Sequence, residues 1–128
     1  MTWVSLRCRR SLYRVFVLLA LGCGEARPAK TAFDLFQDLN SKDEAVRIQA
    51  AANLRSASGA DTKQVVSALS DALRDSSANV RQAASKSLAA MGPDAQAAVP
   101  ILQRALKDSD EGVRLNAADA LEKIRGKK

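Results

Sequence analysis

Histidine is absent from this 128-residue chain. Its absence removes the side chain most often used as a general base near neutral pH, and a common metal ligand. Cysteine is almost absent: Cys8 and Cys23 are the only two, and both precede the body of the chain. The body can therefore form no disulfide, and it offers no nucleophile–base pair built on thiol or imidazole. Aromatic residues make up 4% of the sequence, and 24 alanines supply much of the 47% apolar content. Strands favour β-branched and aromatic residues, so this composition argues against a sheet and for closely approaching helices. The six glycines are scattered, and none forms a phosphate-cradling loop.

The net charge of +6 resembles a nucleic-acid binder's until the charges are placed. Arg7, Arg9, Arg10 and Arg14 fall in the first 14 residues, whereas residues 31–124 hold 11 basic and 13 acidic side chains, a balance of −2. A phosphate-binding surface needs its cations gathered on one face, so nucleic acid is not an expected partner.

The basic start leads into an apolar run of eight residues, 15–22, and then into the small and polar Cys23-Gly24-Glu25-Ala26. That order reads as an export signal, and the run is too short for a spanning helix of about 20 residues. Ala20-Leu21-Gly22-Cys23 resembles the lipobox of bacterial lipoproteins. The resemblance implies cleavage after Gly22 and a lipid on Cys23, which would be the only membrane attachment. An ordinary signal cut nearby and an uncleaved start are the alternatives. The expected organisation is a signal at 1–22, a linker at 23–30, a repeat domain at 31–125 and a basic tail at 126–128.

What the body does contain is repetition. Val46-Arg47-x-x-Ala50-x-x-x-Leu54, Val80-Arg81-x-x-Ala84-x-x-x-Leu88 and Val113-Arg114-x-x-Ala117-x-x-x-Leu121 share one frame, with valines 34 and 33 residues apart. A period of that size signals stacked helical units. The units fall at about 31–58, 61–92 and 95–125. Each contains a first helix (32–39, 62–73, 96–106) and a second (42–56, 77–91, 110–125). Apolar residues at V, V+4, V+8 and V+11 make one stripe on each second helix, widened in the third by Ala118 and Ala120. Two columns offer caps for the second helices: Ser41, Asp75 and Asp108, or Asp43, Ser77 and Asp110. Ser41 with Glu44, and Asp108 with Glu111, also have capping-box spacing. Pro100 is expected to kink the third first-helix or to sit in its first turn.

This pattern resembles the HEAT repeat family, in particular its short bacterial branch. The resemblance is carried by Leu73-x-Asp75-x-x-x-x-Val80-Arg81-x-x-Ala84-x-x-x-Leu88 and by Leu106-x-Asp108-x-x-x-x-Val113-Arg114-x-x-Ala117-x-x-x-Leu121. It implies an all-α fold, a right-handed α-solenoid of three helix pairs. It also implies a ladder between repeats, formed by Arg47, Arg81 and Arg114 with Asp75 and Asp108. Ser41 replaces aspartate in the first unit.

Each candidate site has a plainer reading beside it. The arginine column reads as an anion-binding row or as that ladder, and paired charges at a helix start need no ligand. Asp108, Asp110 and Glu111 read as a cation site, which needs several oxygen ligands at fixed spacing, or as helix-start acids serving as caps and dipole partners. No metal or other cofactor is implied. Phe33 and Phe36 read as a partner-binding pair or as the closure of one end of the stack. The family's second helices line its protein-gripping side. The expected binding face is therefore Gln49, Arg55, Gln82, Lys86, Asn116, Asp119 and Lys123. The expected function is a non-enzymatic protein-interaction or scaffold module, exported and lipid-anchored, whose apolar ends allow end-to-end self-association. The alternatives are an accessory protein related to the HEAT-like bilin lyase proteins, which work in the cytosol, and a self-associating spacer.

Overall fold

The structure is a computed structural model that describes residues 29–57 and 59–126. The expected signal at 1–22, the expected lipidation site Cys23 and Lys127–Lys128 lie outside the described residues. Among the described residues six α-helices follow one another: α1 (Ala32–Asp38), α2 (Glu44–Asn53), α3 (Thr62–Ala72), α4 (Ala78–Met91), α5 (Val99–Ala105) and α6 (Glu111–Arg125). They form an α-solenoid of three helix pairs, α1/α2, α3/α4 and α5/α6. Each second helix packs on the second helix of the neighbouring pair and on its own first helix.

The caps use both columns. Asp43, Ser77 and Asp110 are the N-caps, and their side chains accept the backbone N–H of Ala45, Val80 and Val113. Ser41, Asp75 and Asp108 sit two residues earlier and accept the backbone N–H of the caps themselves. The turn and the helix start are thus tied in series, which satisfies donors that a helix start leaves orphaned. Neither spacing singled out in the sequence forms a capping box, because the caps stand two residues further on. A capping box does form at Thr31 and Asp34, ahead of α1.

Two helices are shorter than their pattern. The last turn of α2 tightens into a 3₁₀ turn, Leu54–Ser56. The third first-helix does not run from 96. A 3₁₀ segment, Gly92–Ala98, with non-helical backbone at Ala95, precedes α5, and Pro100 lies in the first turn of α5. Proline has no N–H and its ring clashes with the carbonyl four residues back, so a regular helix cannot extend from 96 through 100. Gly92 ends α4 at φ +56° and ψ −132°, a conformation open to glycine and costly for any other residue.

The stripe of the second helices is the core. Ala50, Leu54, Val80, Ala84, Leu88, Val113, Ala117, Leu121 and Ile124 are buried, and Leu35, Val65, Val66, Leu69 and Leu102 meet them from the first helices. Burying each large side chain contributes roughly 1.5–3 kcal/mol. Ala120 is buried, but Ala118 is exposed, against the expectation that both widen the stripe. Its counterparts Ala51 and Ser85 are fully buried because a following helix pair covers them. Position V+5 thus faces the next repeat rather than the core of its own.

Two buried serines are spent on backbone. Ser85 Oγ donates to the carbonyls of Arg81 and Gln82 in its own helix. Ser87 Oγ crosses the repeat boundary and donates to the Ala51 carbonyl at 2.7 Å. That carbonyl lies in the last turn of α2. No buried side-chain polar atom is left without a partner among the described residues.

These burial differences set a mutational contrast. Leu88→Ala, in the centre of the stack, is expected to cost about 2–5 kcal/mol in chemical denaturation. Leu115→Ala, at a position 64% exposed, is expected to change stability by less than about 0.5 kcal/mol. Equal losses would contradict the placement of the core.

Candidate functional site

The turns between the helices of each pair bring arginines and aspartates together across the repeat boundary. Arg47 Nε and Nη2 donate to the two carboxylate oxygens of Asp75 at 2.9 and 3.3 Å. Its Nη1 holds the carbonyls of Ser41 and Lys42 in its own turn. Arg81 repeats the arrangement. Its Nε and Nη2 reach Asp108 at 2.9 and 2.8 Å, and its Nη1 holds the carbonyls of Asp75 and Ser76. The side chains of both pairs are only 13–14% exposed. A planar guanidinium suits this double task, with one edge on a carboxylate and one nitrogen on a loop.

Arg114 makes half of the arrangement. Its Nη1 holds the carbonyls of Asp108 and Ser109 at 2.8 and 3.0 Å, and it makes no ion pair among the described residues. The arginine column is therefore no open anion row: two of its three members are occupied by aspartate.

The acids at the start of α6 are similarly committed. Asp108 is taken by Arg81 and the Asp110 N–H, and Asp110 accepts the Val113 N–H and Gln82 Nε2. The hydrogen bond from Arg81 is the main reason the Asp108 carboxyl lies below its ordinary pKa, and the same bond holds the Arg81 guanidinium above its own. The Val113 N–H, then Gln82, depress Asp110. Glu44 is depressed by the hydroxyl of Ser77 and the amide of Asn79 in the next repeat. Among the described residues no cluster of His, Cys, Asp or Glu could hold a metal ion.

Gln82 reaches Asp110 because Gly112 lies beneath it. A Cβ on Gly112 would stand 2.5 Å from Gln82 Nε2, so any larger residue displaces the amide. This contact joins α4 to the start of α6 beside the ladder.

The outer surface shared by α2 and α4 carries a groove of about 450 Å³. Ile48, Ala52, Ala83 and Ala90 give it an apolar floor, and Arg55, Asn79, Gln82 and Lys86 stand at its rim. Arg55 and Lys86 are exposed, and neither has a carboxylate partner among the described residues.

The expected binding residues divide accordingly. Arg55, Gln82 and Lys86 come together at the groove. Gln49 is exposed outside it, and Asn116 is half-buried. Asp119 and Lys123 pair with each other at 2.8 Å, one helical turn apart, so their charges are mutually satisfied. Asn79, Ile48 and Ala52 line the groove without having been expected. A groove between repeats draws different columns from its two helices, whereas a single-helix reading selects one face only. Phe36 packs against the core, while Phe33 is 68% exposed. Among the described residues, no helix is long and apolar enough to cross a membrane.

The depressed carboxylates set the pH dependence. A carboxylate with a lowered folded-state pKa contributes stability above its unfolded pKa and loses it as pH falls through the folded value. The melting temperature is therefore expected to be flat from pH 7 to 5 and to fall below about pH 4. Asp108→Asn should lower the plateau and flatten that acid limb. An unchanged acid limb in the variant would contradict the assignment.

Comparison with known proteins agrees with this geometry. No curated protein matches the chain. Residues 66–128, from within α3 through the ladder turns of the second and third pairs, match the family of HEAT repeats.

Proposed function

We propose that this protein is a non-enzymatic interaction module that holds an acidic segment of a partner protein in the groove between α2 and α4. HEAT repeats fit a protein-interaction or scaffold role and are typically non-catalytic. The observation that carries the finer reading is the pairing of an apolar floor with two cations, Arg55 and Lys86, that no residue of the described structure neutralises. The ladder arginines, by contrast, are already occupied. A partner segment with one or two aliphatic side chains and flanking carboxylates complements both features. Exposed ion pairs add only about 0.2–1 kcal/mol each, so the apolar floor supplies most of the affinity and the cations select the partner.

The same proposal places the module in the cell envelope. The four arginines, the eight-residue apolar run and the Gly22-Cys23 junction support export and a lipid on Cys23.

Two measurements test the proposal. A photo-crosslinking residue at Ala52 of the full chain should capture a discrete protein adduct in cells. Arg55→Glu with Lys86→Glu should reduce that adduct by at least tenfold, and an adduct indifferent to the reversal would overturn the groove reading. Intact mass of membrane-extracted protein should show a chain beginning at an acylated Cys23. An unmodified mass beginning at Met1 would overturn the anchor.

A further inference from the structure

The groove between α2 and α4 differs at its two ends. The helices start side by side, because Glu44 in the first turn of α2 accepts Asn79 Nδ2 from the first turn of α4 at 3.0 Å. Lys86 stands two turns beyond Asn79, about 10 Å along α4. Arg55 lies beyond the end of α2, in its terminal 3₁₀ turn. The two cations of the groove are therefore gathered toward one end. Ile48, Ala52 and Ala83 lie between them and the start of the helices.

The other end is set by two amides whose donors are already used. Asn79 is held by Glu44, and Gln82 Nε2 donates to Asp110 Oδ1 at 2.9 Å. Both carboxyls lie below their ordinary pKa, so both are ionised near neutral pH and can only accept. That fixes which way each amide is turned: its NH₂ meets the carboxylate, and its carbonyl oxygen is left over. Gly112 keeps the Gln82 amide in this position, since a Cβ there would stand 2.5 Å from Nε2. Among the described residues nothing donates to either carbonyl oxygen. Two spare acceptors backed by two anions suit a positively charged donor and repel a carboxylate.

We propose that the groove is directional. The partner segment it takes seats a carboxylate on Arg55 and Lys86, covers Ile48, Ala52 and Ala83 with an aliphatic side chain, and seats an ammonium or guanidinium group on the amide oxygens of Asn79 and Gln82 beside Glu44. This order rests on the groove being the binding site of the partner, and adds the need for a cation at the end away from the carboxylate. An aliphatic stretch with acids at both ends would press one of them against Glu44.

Three synthetic peptides test the direction on the full chain: acetyl-Lys-Ala-Leu-Ala-Glu-amide, and its analogues with glutamate or with lysine at both ends. In an extended peptide the two end side chains share one face with the leucine. Titration into the millimolar range, followed by amide chemical shifts in α2 and α4, should show the mixed peptide binding about fivefold tighter than either analogue. A nitroxide at its glutamate end should broaden Ala90 more than Asn79, and the reverse pattern would overturn the direction. Glu44→Gln, at an exposed position, should narrow the preference over the doubly acidic peptide to less than about twofold. Equal or tighter binding of the doubly acidic peptide, still weakened by Arg55→Gln with Lys86→Gln, would overturn the direction and leave the groove reading standing. Tightest binding of the doubly basic peptide, binding indifferent to those two substitutions, or no shifts in α2 and α4 with any peptide would overturn the groove reading itself.

Discussion

One bidentate contact, an arginine from one repeat on the aspartate of the next, organises the rest of this stack. Arg47 and Arg81 each join two turns: Nη1 ties down the carbonyls of the arginine's own turn, and the remaining nitrogens clasp the neighbour's carboxylate. The clasped aspartate in turn accepts the N–H of the residue that caps the next helix. Turn geometry, helix start and repeat register are therefore set by one chain of charge-assisted hydrogen bonds. Apolar packing supplies most of the stabilisation, but a smooth alanine-rich seam tolerates sliding. The ladder removes that freedom.

The consequence is a division of labour along each second helix. The V, V+4 and V+8 positions build the pair's own core, except that Val46 in the first pair is only half-buried, against the expected stripe. The V+5 position is reserved for the next pair, which is why Ala51 and Ser85 are buried and Ala118 is not. The remaining outer positions are free to differ. Between α2 and α4 they leave an apolar recess with Arg55 and Lys86 at its edge. On α6 the equivalent surface is neutralised internally by Asp119 and Lys123. The copies diverge at these outer positions, while the shared frame is consumed by architecture.

Much of this was legible in the sequence because it repeats. Three copies of one frame at a constant period leave one sensible architecture, and the absence of histidine and of body cysteines narrows the chemistry. The roles of single positions were less legible. Two columns of capping residues competed at each helix start, and the structure uses both, one for the turn and one for the helix. Pro100 was readable as a disruption, but the 3₁₀ segment it imposes also depends on Gly92 and on Ala95 leaving helical geometry. The groove was half legible. Arg55, Gln82 and Lys86 stood out as polar outward residues, whereas Ile48 and Ala52 read as ordinary helix residues until two repeats were placed side by side. That Arg114 meets no carboxylate among the described residues depends on how the pairs are placed, which no single copy of the motif contains.

In a stack of this kind, stability is a sum of weak pairs and the interfaces between them. The central claim is that the Arg81–Asp108 contact couples the third pair to the second. Native-state hydrogen exchange on Arg81→Ala tests it most directly. The loss of about 2 kcal/mol expected for a charged hydrogen-bonded pair should lower protection in α5 and α6 by roughly thirtyfold. Protection in α2 should stay nearly unchanged. A uniform loss across all helices, or no loss in α6, would contradict the account.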